Sequence, residues 1–477
     1  MSQFGDYFFC GVGGSGMTPL ALIVQAKGGL VEGSDRAFDQ GRNTKRFDFL
    51  RARGVLLHPQ DGSGVIRANQ ILVTSTAVEE TVADVQAALR IGATVITRAR
   101  LLAELFNSAA LGVGIAGTSG KSTTVGMLGW ILHRAGNSPT IMNGADMKNF
   151  IDAGSPFASA RIGDGKVFVS ELDESDGSIA FFKPRVAVVN NISLDHKSLD
   201  ELRAIFREFI AKAQTVVLNL DNAETAALLA GLKLGQAITY SLNSAQADLF
   251  ASAPLQSRAG IRFQVKVRET GEIVDVDLKV PGLHNAANAL AALSAAKVCG
   301  VPLGAAAAHL SEFSGIRRRL EVVGTANEIT VFDDFAHNPD KISATLETLH
   351  AFPGRLLLMF QPHGYGPIRL MRHALVDCFA KRLGDEDVLV MPEPVYFGGT
   401  VDRSVGSENI VCEIQRFGRK AFAFQDRNPC GDMLVRLARP GDRIVVMGAR
   451  DDSLSQFAHE LLRRLAVKKD EGSIATG

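Results

Sequence analysis

The chain has 477 residues, and its 51 Lys and Arg are balanced by 51 Asp and Glu. That balance gives no electrostatic pull toward nucleic acid or an anionic membrane, and no apolar run approaches the ~20 residues of a membrane span. Five cysteines, Cys10, Cys299, Cys378, Cys412 and Cys430, are odd in number and far apart, so a cytoplasmic protein with reduced thiols is expected, and the length suggests about three domains.

In chain order, Tyr7-Phe8-Phe9-Cys10 is a short apolar strand running into Gly11-Val12-Gly13-Gly14-Ser15-Gly16-Met17, with Leu20, Ala21 and Val24 following at helical spacing. Gly11, Gly13 and Gly16 satisfy G-x-G-x-x-G in a strand-turn-helix setting, and Asp35 lies close to where a ribose-binding acid is expected. A strand over 70–74 ends in Ser75-Thr76-Ala77, then a helix to Leu89, a strand over 93–97 and a helix over 101–106 complete a small doubly wound βα domain. Such a domain holds NAD or the pyrophosphate of a UDP-sugar with the same backbone groups, and this segment alone favours the dinucleotide.

Val113 to Ala116 is a buried strand that breaks into Gly117-Thr118-Ser119-Gly120-Lys121-Ser122-Thr123 before a helical pattern over 125–135. Glycines that let backbone amides close on an anion, a helix N-terminus behind them, a lysine and a hydroxyl make a phosphate-binding loop, although Ile115 stands where the first glycine of the usual spacing belongs. Lys121 is expected to reach the outer phosphates as an exposed loop charge, removable without loss of fold, and Ser122 to help hold magnesium. A strand over 167–170 delivers Glu171-Leu172-Asp173-Glu174-Ser175-Asp176, whose carboxylates suit the same ion. An apolar strand over 186–191 is followed by Leu194-Asp195-His196, which places His196 as a second metal ligand or a positioning group.

A helix over 201–213, a strand over 215–219 and a β-rich patch over 247–280 with a turn at Thr270-Gly271 lead to His284-Asn285 and Asn288 at the start of an Ala-rich helix. These amides suit either the edge of a flat base or helix capping. A second helix, over 303–312, leads to Arg317-Arg318-Arg319, either a phosphate clamp or a solvated hinge. Strands over 329–332, 356–360, 388–391, 421–424 and 444–447 then alternate with helices as a second doubly wound sheet. Asp333-Asp334-Phe335-Ala336-His337-Asn338 and Gln361-Pro362-His363-Gly364 lie at carboxyl strand ends, where ligands bind.

Taken in order, the phosphate loop, Glu171 to Asp176, Asn190-Asn191-Ile192-Ser193-Leu194-Asp195-His196, His284 to Asn288, the arginine junction and Asp333 to His337 resemble the motif series of the Mur ligases over nearly the whole chain. The resemblance implies an α/β, three-domain Mur ligase architecture. A Rossmann-like UDP-sugar-binding domain spans 1–107, a central P-loop ATPase domain 108–315, and a Rossmann-like domain for the incoming amino acid or peptide 316–477. It replaces the dinucleotide with UDP. It implies ATP- and Mg2+-dependent amide formation on the carboxylate of UDP-N-acetylmuramate through an acyl phosphate, in peptidoglycan precursor synthesis, by a cytoplasmic monomer or homodimer without nucleic-acid partners.

By the same resemblance, Gly13, Ser15, Gly16, Met17, Asp35, Ser75, Thr76 and His363 face substrate, and Gly117, Thr118, Ser119, Gly120, Lys121, Ser122, Thr123, Asn285, Asn288, Arg319 and Asp334 face ATP. Ser122, Glu171 and His196 hold metal, and Lys121, Glu171, His196 and His337 are catalytic. The N-terminal motifs are most similar to the branch that adds L-alanine, whereas Arg317 to Glu321 also fits the branch that adds a recycled peptide. Alanine-adding members carry a second histidine where Asn338 stands and an arginine where Gly364 stands, so the acceptor stays open between an amino acid and a short peptide. A nicotinamide oxidoreductase would leave the phosphate loop unexplained, and a nucleotide-sugar-binding homologue without ligase activity is the third reading.

Overall fold

The computed structural model describes residues 5–75, 78–193, 197–257, 260–395, 402–449, 451 and 453–473. Two compact units divide the chain: Met1–Leu255 with Ala259–Gly315, and Ile316–Gly477 with Gln256–Arg258.

The first unit holds two sheets. One consists of β1 (Asp6–Cys10), β2 (Leu30–Ser34), β3 (Leu56–His58), β4 (Gln70–Thr74) and β5 (Thr94–Thr97) in the order β3-β2-β1-β4-β5. All its pairs are parallel. The strand order reverses at β1, so the crevice for a ligand opens at the carboxyl ends of β1 and β4, just where the glycine turn begins.

The other sheet runs β15-β14-β13-β12-β11-β10-β6-β9-β7-β8. Its strands are β6 (Leu111–Ala116), β7 (Thr140–Met142), β8 (Ala160–Arg161), β9 (Val167–Glu171), β10 (Val186–Val189), β11 (Thr215–Asn219), β12 (Ala237–Ser241), β13 (Leu249–Ser257), β14 (Gly260–Val267) and β15 (Ile273–Leu278). The central members β9, β6, β10 and β11 are parallel and almost wholly apolar, as burial on both faces demands. The expected β-rich patch forms β13 to β15, with Thr270-Gly271 in the turn of the antiparallel pair β14 and β15.

A continuous core joins these two sheets. Phe106, from the helix Arg98–Asn107, packs its ring 5.7 Å from Phe168 of β9 and 5.4 Å from Phe182. The same buried cluster runs from Phe9 and Leu20 to Val189 and Leu218.

The second unit has six strands, β16 (Glu321–Ala326), β17 (Ile329–Asp334), β18 (Leu356–Gln361), β19 (Val388–Pro392), β20 (Lys420–Phe424) and β21 (Arg443–Gly448), ordered β16-β17-β21-β18-β19-β20. All pairs are parallel except the edge pair of β16 and β17. Among the described residues no helix is long and apolar enough to cross a membrane.

Candidate active site

The phosphate loop is the tip of β6. After Ala116 the chain turns at 117–120 and enters the helix Lys121–Arg134, four residues earlier than the apolar pattern alone suggests. Gly120 has φ +79°, and a β-carbon there would stand 2.3 Å from Asn288 Oδ1, so both backbone conformation and space require glycine. Asn191 fastens the turn: Thr118 N donates to its carbonyl at 3.1 Å, and Ser119 N and Thr118 Oγ1 donate to its side-chain Oδ1 at 2.9 and 2.8 Å.

Lys121 is not the exposed charge expected from the sequence. Its side chain is 14% exposed, and Nζ donates to Gly117 O at 2.7 Å and to Glu174 Oε2 at 2.9 Å, where Glu174 is itself only 5% exposed. Burial opposes the ammonium charge, but Glu174, then Glu171 and Asp173, outweigh it and raise the pKa above the ordinary lysine value. The turn thus carries a cation already neutralised by an internal carboxylate.

At the tip of β9, Glu171 Oε2 accepts from Ser122 Oγ at 2.8 Å and from Gly144 N at 2.9 Å. A hydroxyl and a carboxylate oxygen held together at the phosphate turn form a hard-oxygen donor pair of the kind magnesium takes, with phosphate oxygens and water completing the shell. His196, assigned as a further metal ligand, and Thr76, assigned to substrate, lie outside the described residues. Among the described residues no cluster of three or more His, Cys, Asp or Glu is arranged around a metal position.

Thr123 is buried in the first turn of the helix. Asn285 and Asn288 are also buried, and their amides are engaged within the protein. Asn285 Nδ2 donates to Pro281 O at 2.7 Å, Asn288 Nδ2 donates to Asn285 Oδ1 at 3.2 Å, and Asn288 Oδ1 accepts from Thr124 Oγ1 at 3.4 Å. They tie the helix Leu283–Val298 beneath the phosphate turn. Asn190, which in the sequence stands out only as part of a run, donates to Thr124 Oγ1 at 2.9 Å, while its buried Oδ1 has no hydrogen-bond partner among the described residues. That leaves one acceptor beside the turn.

The first glycine turn is held differently. Gly11 N and Val12 N donate to Ser34 O, Gly13 N donates to Asp35 Oδ2 at 2.9 Å, and Arg46 Nη1 donates to Gly13 O at 2.7 Å. Asp35 Oδ1 meanwhile accepts from Ala37 N at 2.8 Å. Ser15, Gly16, Met17 and Ser75 line a cleft of about 350 Å³ whose opposite wall includes Asn143, Gly144, Glu171 and Asp173. One crevice therefore joins the first glycine turn to the acid that faces Ser122. Arg98 also lines it, and no sequence motif flagged that residue.

In the second unit Asp334 ends β17 and accepts from Leu320 N at 3.0 Å, Phe335 N at 2.9 Å and the Thr345 hydroxyl. Arg319 lies over the Phe335 ring, 4.5 Å from its centroid, and Arg318 is the structural member of the triplet, buried against Asp333 at 3.4 Å. His337 Nδ1 sits 2.8 Å from Phe335 O, and its ring meets that of His363 edge-on at 5.2 Å. Burial, then the charge of Lys341, press the His337 pKa down to about 3 against the contrary pull of the hydrogen bond to Phe335 O, with smaller lowering contributions from His363 and Arg319. Neutral, with Nδ1 donating, it presents Nε2 as an acceptor.

Comparison with known proteins fits this geometry. The Mur ligase family catalytic domain matches residues 6–109, the Mur ligase middle domain 115–296, and the Mur ligase glutamate ligase domain 318–450. A UDP-N-acetylmuramate--L-alanine ligase of Pelotomaculum thermopropionicum is 33% identical over 473 residues, covering 97% of this chain and 98% of its own. The chain belongs to the Mur ligase family. A second relative of that name, from Mesorhizobium japonicum, is 34% identical over 477 residues, covering 96% and 97%. Among solved Mur ligases, the UDP-N-acetylmuramate-alanine ligase of Thermotoga maritima superposes with TM-score 0.75 at 24% identity, covering 98% of this chain and all of its own. A murein peptide ligase of Psychrobacter arcticus gives 0.68 at 24%, covering 97% and 99%. These structures share the fold. This Mur ligase is thus an ATP-dependent ligase with the family's three-domain α/β architecture.

Proposed function

We propose that this enzyme joins L-alanine to the carboxylate of UDP-N-acetylmuramate in the cytoplasm, with hydrolysis of ATP to ADP and phosphate, as a step of peptidoglycan precursor synthesis. The observation that carries the reading is end-to-end similarity, 33% over 97% of the chain, to relatives bearing that activity in their names. The crevice linking Gly16 to Glu171 supports it, because it lets a nucleotide sugar reach the phosphate turn.

A carboxylate is a poor electrophile until one oxygen becomes part of a leaving group. The γ-phosphoryl group passes to the muramyl carboxylate oxygen and ADP departs. The amine lone pair then attacks the carbonyl carbon, the carbon–oxygen bond to phosphate breaks, and the ammonium proton is released. Lys121 exchanges Glu174 for the phosphates and neutralises charge as the phosphoryl moves. Ser122 and Glu171 would hold magnesium, which supplies further charge neutralisation when bound. A histidine with pKa about 3 is too weak a base to deprotonate an ammonium near neutral pH, so His337 orients the amine by accepting its hydrogen bond.

Acceptor choice has a specific second reading. Asn338 caps the helix Pro339–His350 through Lys341 N at 3.0 Å, and Gly364 at φ +142° places no charge beside His363. They stand where alanine-adding members carry a histidine and an arginine, so a short murein peptide is the alternative acceptor. The test is phosphate release in the presence of UDP-N-acetylmuramate, with L-alanine, other amino acids and the peptide compared. Release that requires both sugar and L-alanine is expected. Amine-independent turnover overturns ligation, and faster turnover with the peptide transfers the assignment to it.

A further inference from the structure

The two glycine turns of the first unit differ in where a cation comes from. Lys121 sits in the phosphate turn itself, whereas the turn from Gly11 to Gly16 continues into Met17 and an apolar helix. Beside it stands Arg98, the first residue after β5 and a lining residue of the 350 Å³ cleft. Its guanidinium lies against the turn so closely that a β-carbon at Gly16 would be 3.2 Å from both Cδ and Nη1.

Three other arginines of this domain are bonded, Arg46 to Gly13 O, Arg67 to Glu32 and Arg100 to Glu104, whereas Arg36 and Arg42 are exposed and do not line the cleft. The half-buried Arg98 side chain donates no hydrogen bond and forms no ion pair among the described residues, and the charge it feels is that of the Asp173 carboxylate, which also lines the cleft. A guanidinium offers a planar fork of donors matched to two phosphate oxygens at once. An unspent fork pressed on a pyrophosphate-type turn, in the cleft that leads to the phosphate loop, is a binding group awaiting an anion.

We propose that Arg98 grips the pyrophosphate bridge of the nucleotide sugar, supplying the positive charge that the first glycine turn lacks. The proposal rests on the donor substrate assigned above and adds the residue that fixes its position along the cleft. Gly16 is glycine on this account because a side chain would displace the guanidinium from the turn.

UDP separates the two parts of the question, because it carries the pyrophosphate but not the muramyl carboxylate. Binding of UDP and of UDP-N-acetylmuramate is measured by calorimetry for wild type, Arg98→Gln and Arg98→Lys, with and without a non-hydrolysable ATP analogue, alongside thermal melts. In Arg98→Gln, both dissociation constants should rise about ten- to a hundredfold, the cost of a charge-assisted bidentate contact. Lysine should recover part of the loss, while ATP affinity and melting temperature stay at wild-type values. Unchanged UDP binding with weakened UDP-N-acetylmuramate binding would mean that Arg98 holds the carboxylate, and overturns the assignment. Unchanged binding of both ligands overturns it too, leaving the ligase reading intact. A wild-type protein that binds neither ligand overturns that reading together with this one.

Discussion

The turn at 117–120 brings a cation on its next residue, and Glu174 meets that cation at 2.9 Å. The turn at 11–16 has no cation of its own, is pinned by Asp35 and Arg46, and faces the Arg98 guanidinium from the end of β5, which makes no hydrogen bond or ion pair among the described residues. The difference shows two ways to keep an anion site ready. A lysine buried in the turn needs an internal carboxylate to stand in for phosphate, so ligand binding there is an exchange of partners. A guanidinium on the wall of a cleft keeps its solvation, so binding there is an addition. The first arrangement protects the fold at some expense in affinity; the second leaves the fold indifferent to the ligand.

The largest effect expected from this contrast is at Lys121. Lys121→Met should lower ligation at least about 10²-fold, as for other groups that neutralise a transferring phosphoryl. It should also cost about 3 kcal/mol of stability, since Glu174 is left buried without its partner. The double variant Lys121→Met with Glu174→Gln should regain most of that stability in urea unfolding yet remain inactive. If the single variant is as stable as wild type, the internal exchange is wrong and the two turns are less different than they look.

A smaller effect is expected at Gly120. Alanine there meets a left-handed backbone at φ +79° and the Asn288 amide at 2.3 Å, so Gly120→Ala should cost about 1–3 kcal/mol and weaken ATP binding. Adding Asn288→Ala relieves the overlap but not the backbone strain, and should restore only part of the loss in a thermal melt. Full restoration would make the amide, rather than the turn's conformation, the reason for glycine.

How much of this was legible beforehand follows the same physics. β1, β4, β6, β9, β10, β17, β18 and β21 could be read because buried parallel strands are nearly unbroken apolar runs. β2 escaped because Glu32 and Gly33 interrupt it; in the structure Glu32 is buried only because His58 at 3.0 Å and Arg67 satisfy it. β16 hid behind the arginine junction as a half-exposed edge strand. Lys121, Ser122 and Glu171 could be placed because their chemistry depends on one local turn and one strand tip. Glu174 could be seen as an acid but not as Lys121's partner, and Asn285, Asn288 and Asp334 could be seen as polar but not as already engaged, because partners remote in sequence decide that. Arg98 had no glycine or repeated spacing around it. The usable signal was its place at the carboxyl end of a parallel strand, in the same position relative to its sheet as the other ligand-facing groups.

The smallest effect concerns what holds the first turn. Asp35 accepts from Gly13 N at 2.9 Å and from Ala37 N at 2.8 Å, so it fastens the turn and caps the short helix Arg36–Asp39 with one carboxylate. Losing both bonds in Asp35→Ala should cost about 1 kcal/mol, the ordinary value of a cap. The loosened turn should raise KM for the nucleotide sugar a few-fold without changing kcat, since nothing at the phosphate turn is disturbed. Each carboxylate oxygen also has a second lone pair, enough to take a ribose hydroxyl while keeping its backbone bond. If Asp35 does so, the rise in KM should instead approach that of Arg98→Gln, and a substrate lacking the ribose 2′-hydroxyl should lose affinity with the wild type but not with the variant. Steady-state kinetics on the two substrates and two proteins separates a residue that shapes the turn from one that touches the ligand, because only the latter gives a non-additive cycle.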